Sequence, residues 1–521
     1  MSEVRTSLPS TEHPSLSEKG AAHQDEEKSI PSEPSQLYNA HIDVSGVDER
    51  KLMRKVDWRT IPWLSFLYLL CFLDRTSIGN AKLYNMEQDL HITDTQYLIA
   101  LTIFFFSYSI FEVPSNIFLK RLRPSIWLSL LMLLWGVMMV YFLLLTHIMG
   151  INIAAYRLYK VWCTITAASL KTEVYFSWYK RSEFGVRAAI FFSAATVSGA
   201  FGGLLAAAIS KMDGVGGKPA WAWIFILEGL ATVIAGALSF WIIVDFPDTA
   251  TFLTETERTV VIRRLQSDDQ FSAAGEQLKW GYIKKSLLDW KTWVAMMVYT
   301  GSDMPLYAFA LFLPSIINQA SLGYDATPAN LLTVPVYVLA CIVTCTVGYL
   351  ADKYGHRGWF NLGFLCLAAA GYIILLVSRN ATLSYVAVYM AACGIYPNIP
   401  NTVAWASNNV EGSYKRSVSL AMVISLGNIN GAVSSNVYRA NQTPWYPMGH
   451  GLVLMYICFG FIANVTYQYM LKAENARRDR GERDEIIEGM SGGLEINGRF
   501  ASVEEAKREK GDEWSGYRYT L

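Results

Sequence analysis

The sequence predicts an all-α membrane protein with twelve transmembrane helices arranged as two six-helix halves. Three observations lead there. Of 521 residues, 52% are hydrophobic and only 17% are charged, against roughly a quarter charged in an average soluble protein. Lys and Arg gather in short clusters and toward both ends, leaving long apolar stretches of about 20 residues, the length that a hydrocarbon core of about 30 Å demands of a helix. The longest polar interval follows the sixth such stretch, so the chain divides in the middle.

The first six stretches cover 61–83, 96–118, 126–147, 151–177, 186–210 and 221–245, and the second six cover 292–318, 329–351, 359–378, 382–405, 417–437 and 450–471. The resulting organisation is a disordered N-terminal tail (1–55), a first half (56–245), a middle loop (246–291), a second half (292–471) and a charged C-terminal tail (472–521). The first tail is rich in Ser, Pro, Glu and Gln and has no apolar segment to build a core. No signal-peptide apolar region precedes Ile61. Basic residues set the orientation. Loops after even-numbered stretches carry Lys120, Arg121 and Arg123, then Lys180 and Arg181, Lys284 and Lys285, Lys353 and Arg357, and Lys415 and Arg416; the others carry little beyond Lys211, Lys218, Arg379 and Arg439. Both tails and the middle loop are therefore expected in the cytoplasm. The sequons at Asn380 and Asn441 fall in loops expected outside. Seven cysteines are scattered singly, mostly in apolar stretches, where a thiol acts as a small hydrophobe.

Charges inside the stretches carry the functional reading. The uncharged run Ile61 to Leu73 is 13 residues long and spans about 20 Å, short of a crossing of about 30 Å. Asp74 and Arg75 must then lie in or at the edge of the bilayer, where each costs roughly 2.5–3.5 kcal/mol unless it faces protein or water. They form either a self-neutralising pair, or a proton carrier and an anion contact. Glu112 in the second stretch serves proton movement or bonds a neighbouring helix, and Arg157 opens the fourth stretch facing outward or into a central cavity. Glu228 lies in the sixth. In the seventh, Thr300-Gly301-Ser302-Asp303-Met304-Pro305 is expected to loosen the helix and free backbone carbonyls. The tenth repeats the theme with Gly394-Ile395-Tyr396-Pro397-Asn398-Ile399-Pro400-Asn401. Tyr307, Phe309, Tyr396 and Trp405 could stack on a substrate ring, with Asp303, Asn398 and Asn401 lining the same site.

No metal-ligand spacing, nucleophile elbow or phosphate loop occurs, so neither an enzyme nor a cofactor or metal is expected, and nothing points to nucleic acid. The expected partners are a small organic anion, protons and the lipid bilayer, with the chain acting as a monomer. A nutrient sensor using the same pocket is the alternative to a transporter.

The loop Gly348-Tyr349-Leu350-Ala351-Asp352-Lys353-Tyr354-Gly355-His356-Arg357-Gly358 resembles the Gly-x-x-x-Asp-Arg/Lys loop motif of the major facilitator superfamily, with Gly348, Asp352, Lys353 and Arg357 at its key positions. Its first-half counterpart around Pro114 to Ser125 is degenerate, in a form similar to that of the anion:cation symporters of the superfamily, particularly the fungal allantoate and nicotinate permeases. Longer strings carry this narrower resemblance: Phe72-Leu73-Asp74-Arg75-Thr76-Ser77-Ile78-Gly79-Asn80-Ala81, Trp178 to Glu183, Gly199 to Leu205, Ile224 to Gly229, Asp245 to Asp248 and Ser407 to Gly412. The resemblance implies proton-coupled uptake of small organic anions across the plasma membrane, with Asp74 matching the proton-binding acid and Arg75 the substrate-carboxylate contact. One stretch departs from the family. After Arg157 the family pattern expects a glutamate where this chain has Thr164, and Pro-Gly where it has Ser169 and Leu170, while Lys160, Lys171 and Glu173 add charge. That departure means altered coupling or an error in the gene model.

Overall fold

The computed structural model describes residues 38–99, 101–103, 105–106, 109–110, 123–149, 178–180, 183–267, 280–317, 326–488 and 492–521. The chain up to Ile42 is a unit separate from Asp43–Leu521, and the helices belong to the latter. Helix α1 (Glu49–Leu83) begins inside the segment assigned to the first tail. The cause is local. The Asp48 carboxylate accepts from the backbone N–H of Arg50 and Lys51, Glu49 suits the positive end of the helix, and Leu52, Met53 and Val56 are buried.

The other first-half helices are α2 (Pro124–Met149), α3 (Phe184–Ile209) and α4 (Ala220–Ile242). Described parts of the second stretch are helical, and the fourth lies outside the described residues. The middle segment is not a simple loop, since it contains helices α5 (Glu255–Ser267) and α6 (Trp280–Leu288). The second half comprises α7 (Trp290–Ile317), α8 (Ala326–Tyr354), α9 (Arg357–Val377), α10 (Ala381–Ile395), α11 (Asn398–Asn408), α12 (Ser413–Ser434) and α13 (Pro447–Asp479). Among the described residues, eight helices are long and apolar enough to cross a membrane. Their outer faces expose large apolar side chains such as Trp241, Ile342, Trp359 and Ile462, as a lipid-facing surface requires.

The two proline-bearing stretches behave differently. The tenth is broken at Tyr396–Pro397 into α10 and α11. The seventh is not loosened, contrary to expectation: α7 runs unbroken through Pro305 and Pro314. Nearly every residue from Val298 to Pro314 is buried. Packing against α12 and α13 holds the helix through the missing N–H, as neighbouring helices do in membranes.

Among the described residues, the halves meet chiefly where α3 lies along α8. Small residues allow this approach. A β-carbon at Gly203 would come within 2.6 Å of the Asn330 carbonyl oxygen, and one at Gly199 within 2.6 Å of the Tyr337 ring.

The second tail is also corrected. The described residues beyond α13 form a small folded segment: β1 (Ile486–Ile487) pairs in parallel with β2 (Arg499–Phe500), α14 (Val503–Lys510) is capped by Ser502, and Ala506, Asp512 and Tyr519 are buried. Composition read this segment as core-free because its anchoring is ionic rather than apolar.

Candidate functional site

Successive helical residues turn by about 100°, so neighbours on α1 face different helices. Tyr68, Phe72 and Arg75, spaced i, i+4, i+7, share one face. Arg75 is 6% exposed and reaches the second half, its Nη1 donating to Tyr307 Oη on α7 at 3.3 Å. Tyr307 in turn donates to Asn428 Oδ1 on α12 at 2.8 Å. The guanidinium also lies over the Phe72 ring, 5.0 Å from its centroid.

Asp74 points instead into its own half. Thr232 on α4 donates to Asp74 Oδ2 at 3.1 Å, and the Trp135 indole of α2 lies nearby without closing a hydrogen bond. One turn along each helix, Ser77 donates a hydrogen bond to Glu228 Oε2. Asp74 and Glu228 are 3% and 2% exposed, and among the described residues neither has a basic partner at ion-pair distance. The acid and base that the sequence left as a possible self-neutralising pair are therefore divided between two directions. The acid engages the first half and the base the second.

Two small cavities flank the Arg75–Tyr307 contact and share Phe72 and Tyr307 as walls. The first is completed by Arg75, Thr76, Leu101 and Phe105, the second by Tyr68, Tyr299, Asp303 and Tyr396. Each encloses about 10 Å³, room for about one water molecule. Neither of these two spaces is large enough as it stands for an organic solute.

Of the remaining candidates, Phe309 stands behind the second cavity in a triangle of edge-on rings with Tyr337 and Tyr396. Asn398 donates to the Gly394 carbonyl at 2.6 Å and secures the break between α10 and α11. Asn401 lies elsewhere. It accepts from Arg357 Nη1 at 3.2 Å and donates to the Arg357 carbonyl and to Asn361 Oδ1, each at 2.8 Å. Trp405 is fully buried against Tyr467, and its Nε1 donates to the Thr520 carbonyl at 2.8 Å. Neither Asn401 nor Trp405 lines the Arg75 cavities, because on α11 they face the loop motif and the ordered tail. Glu112 and Arg157 lie outside the described residues.

The loop motif forms a second arrangement. Asp352 pairs with Arg357 and accepts from the backbone N–H of Val186, in the first turn of α3 across the seam. An acid at that helix start satisfies an orphan donor and the helix dipole. Gly348 lets α8 close onto Ala189, while Lys353 remains exposed beside Tyr354. Sequence reasoning singled out Glu228 as a membrane-embedded charge without a specific role and gave none to Tyr68, Ser77, Thr232, Tyr299 or Asn428. Only the Tyr68/Phe72/Arg75 spacing and the lone acid in the apolar α4 were signals for any of them.

The sequence profile of the Major Facilitator Superfamily matches residues 64–435, most of both halves. The chain belongs to the Major Facilitator Superfamily. It is 33% identical to the MFS-type transporter cnsO of Penicillium expansum over 83% of this chain and 86% of that protein. It is 28% identical to the high-affinity nicotinic acid transporter of Saccharomyces cerevisiae over 82% of this chain and 79% of that one. Among solved structures, the proton:xylose symporter XylE shares the fold, with a TM-score of 0.59 at 12% identity, covering 78% of this chain and 95% of that one. This facilitator is thus a multi-pass membrane transporter of small molecules rather than an enzyme. In a superfamily fold of two halves, the Arg75–Tyr307 contact bridges the surfaces that must part for a solute to pass.

Proposed function

We propose that this protein imports a small organic anion, nicotinate, allantoate or a related carboxylate, across the plasma membrane in symport with protons. Arg75 carries the reading: a buried guanidinium set between the halves, bonded to a neutral Tyr307 hydroxyl that a substrate carboxylate can displace. Such a fork of donors binds a carboxylate in two parallel charge-assisted hydrogen bonds. The relationship to a nicotinic acid transporter supports the substrate class, and the fold shared with a proton symporter is compatible with coupling. Asp74 is the proton carrier, with Glu112 a second candidate and Arg157 a second anion contact. The Asp352 link to the start of α3 is broken and remade as the halves alternate. Both chain ends face the cytoplasm, as the distribution of basic residues favours.

The test is uptake of labelled nicotinate, allantoate, pantothenate, biotin and dipeptides by yeast lacking its own carriers. One carboxylate should be concentrated, faster at acidic than at mildly alkaline outside pH, and the gradient should collapse with a protonophore. Arg75→Ala should abolish uptake while leaving surface expression intact. Normal uptake by that variant removes Arg75 from the mechanism, and accumulation insensitive to the protonophore removes the proton.

A further inference from the structure

The second cavity holds a group that an anion carrier does not require. Asp303 is 3% exposed and lines this cavity with Tyr68, Tyr299, Tyr307 and Tyr396. It precedes Tyr307 by one turn of the unbroken α7, so the two lie on one face about 6 Å apart along the axis. Tyr307 is also the hydroxyl to which Arg75 donates. The guanidinium thus lines one cavity and the carboxylate the other, and the Phe72 and Tyr307 side chains border both. Rotation of either ring joins the two spaces into one elongated site, positive at one end and negative at the other. The negative end is lined mainly by aromatic side chains, Tyr68, Phe72, Phe192, Tyr299, Tyr307 and Tyr396, with Ala195, Leu306 and Ile399 among them. A carboxylate enclosed by tyrosines is a setting that favours a cationic nitrogen, which gains from the charge and from the ring quadrupoles together. It disfavours a second anionic or a purely apolar group.

We infer that this transporter takes a dipolar solute, a carboxylate that bears a protonated amine, with Arg75 binding the carboxylate and Asp303 the ammonium. This rests on the reading above of Arg75 as the carboxylate contact, and it replaces nicotinate and allantoate, which carry no ammonium at neutral pH, with carboxylates that do. The expected discrimination against an otherwise identical acid lacking the amine is about tenfold or more, since the charge-assisted contact to the Asp303 carboxylate is then missing from the closed site.

Ligand-induced thermal stabilisation of the purified protein measures this without knowledge of the natural substrate. The probes are 4-(aminomethyl)benzoate, 4-methylbenzoate and benzylamine. The wild type should bind the amino acid about tenfold more tightly than either of the others. Asp303→Asn should bind 4-(aminomethyl)benzoate and 4-methylbenzoate alike, and Asp303→Glu should keep a reduced preference. Equal or tighter binding of 4-methylbenzoate by the wild type overturns the dipolar proposal and leaves the anion reading standing. Equal or tighter binding of benzylamine, unaffected by Arg75→Ala, overturns the anion reading itself. A wild type stabilised by none of the three, or a preference that survives intact in Asp303→Asn, also overturns the proposal. The ranking in the wild type needs no variant to fold.

Discussion

Two buried charge clusters in this molecule are built on opposite plans. Where α7 and α12 begin, Lys291 and Lys415 each touch both Asp289 and Asp512, at 2.9, 2.8, 3.0 and 2.8 Å, and all four side chains are 6% exposed or less. Two positive charges face two negative charges in a closed square. Asp512 also accepts from the Glu411 backbone N–H, and its carbonyl receives Arg478 and Tyr519. Between α1 and α4, Asp74 and Glu228 are as deeply buried, and among the described residues their hydrogen-bond donors are Thr232 and Ser77, with no base at ion-pair distance. A cluster balanced in charge is a fastening. An acid pair with no base at ion-pair distance is instead a setting in which at least one proton is held, and in the reading proposed above that proton is the one that moves.

The largest stability effect should come from opening the balanced square. Asp512→Ala leaves two buried ammonium groups against one carboxylate and should cost about 3–5 kcal/mol, because the partner left behind is an uncompensated charge. Thermal melting in detergent checks it. Adding Lys415→Met to the same chain should restore part of the loss, since a neutral side chain of similar volume no longer needs a partner. Melting of Asp512→Ala indistinguishable from wild type would mean that the square is incidental.

Acid should loosen the same fastening by a smaller amount. Burial alone would push the Asp512 carboxyl up, but Lys291 and Lys415 outweigh it and hold it at about 2 instead of the ordinary 3.8. A carboxyl depressed in the folded state contributes its full stability above the unfolded value and loses it as pH falls toward the folded one. The contribution is on the order of 2 kcal/mol at neutral pH, lost between roughly pH 4 and 2. Hydrogen exchange in segment 499–521 should accelerate across that window in the wild type and show no such step in Asp512→Asn.

How far the two clusters were legible from sequence differs for the same physical reason. The bilayer fixes a length, so an apolar run of 13 residues was enough to force Asp74 and Arg75 into notice. Nothing comparable marks Asp512, which meets Lys291 and Lys415 only after the chain has folded back from far along the sequence, and a polar composition concealed an ordered segment. Asn401 and Trp405 were placed in the substrate site because amides and an aromatic beside prolines look alike whether they line a cavity or hold a loop. Which face of α11 meets which neighbour is a tertiary fact. Pro305 misled in the opposite sense, since the packing that keeps α7 straight is not written near the proline.

A still smaller effect tests the placement of Trp405. Trp405→Phe keeps a ring against Tyr467 and removes only the hydrogen bond from Nε1 to the Thr520 carbonyl. The expected loss is about 1 kcal/mol of stability, with the KM for uptake unchanged. A KM raised several-fold, with melting unaltered, would return Trp405 to the solute site.

The smallest stability change should accompany the largest loss of function, at the acid pair. Asp74→Asn keeps the shape and an oxygen to accept from Thr232 while removing a buried ionisable group that has no base at ion-pair distance among the described residues. Glu228→Gln does the same toward Ser77. Neither substitution leaves an uncompensated charge behind, so melting should move by less than about 0.5 kcal/mol or rise slightly, unlike Asp512→Ala. Asp74→Asn should nevertheless lose concentrative uptake and retain exchange of substrate down its gradient, because the amide cannot carry the proton between the two sides. Glu228→Gln should slow concentrative uptake by about tenfold, the scale of an impaired proton transfer, with substrate affinity unchanged. Destabilisation of Asp74→Asn as large as that of Asp512→Ala would make the acid pair a second fastening and erase the contrast between the clusters. Protonophore-sensitive accumulation persisting in Asp74→Asn at wild-type melting would instead move the proton to Glu112.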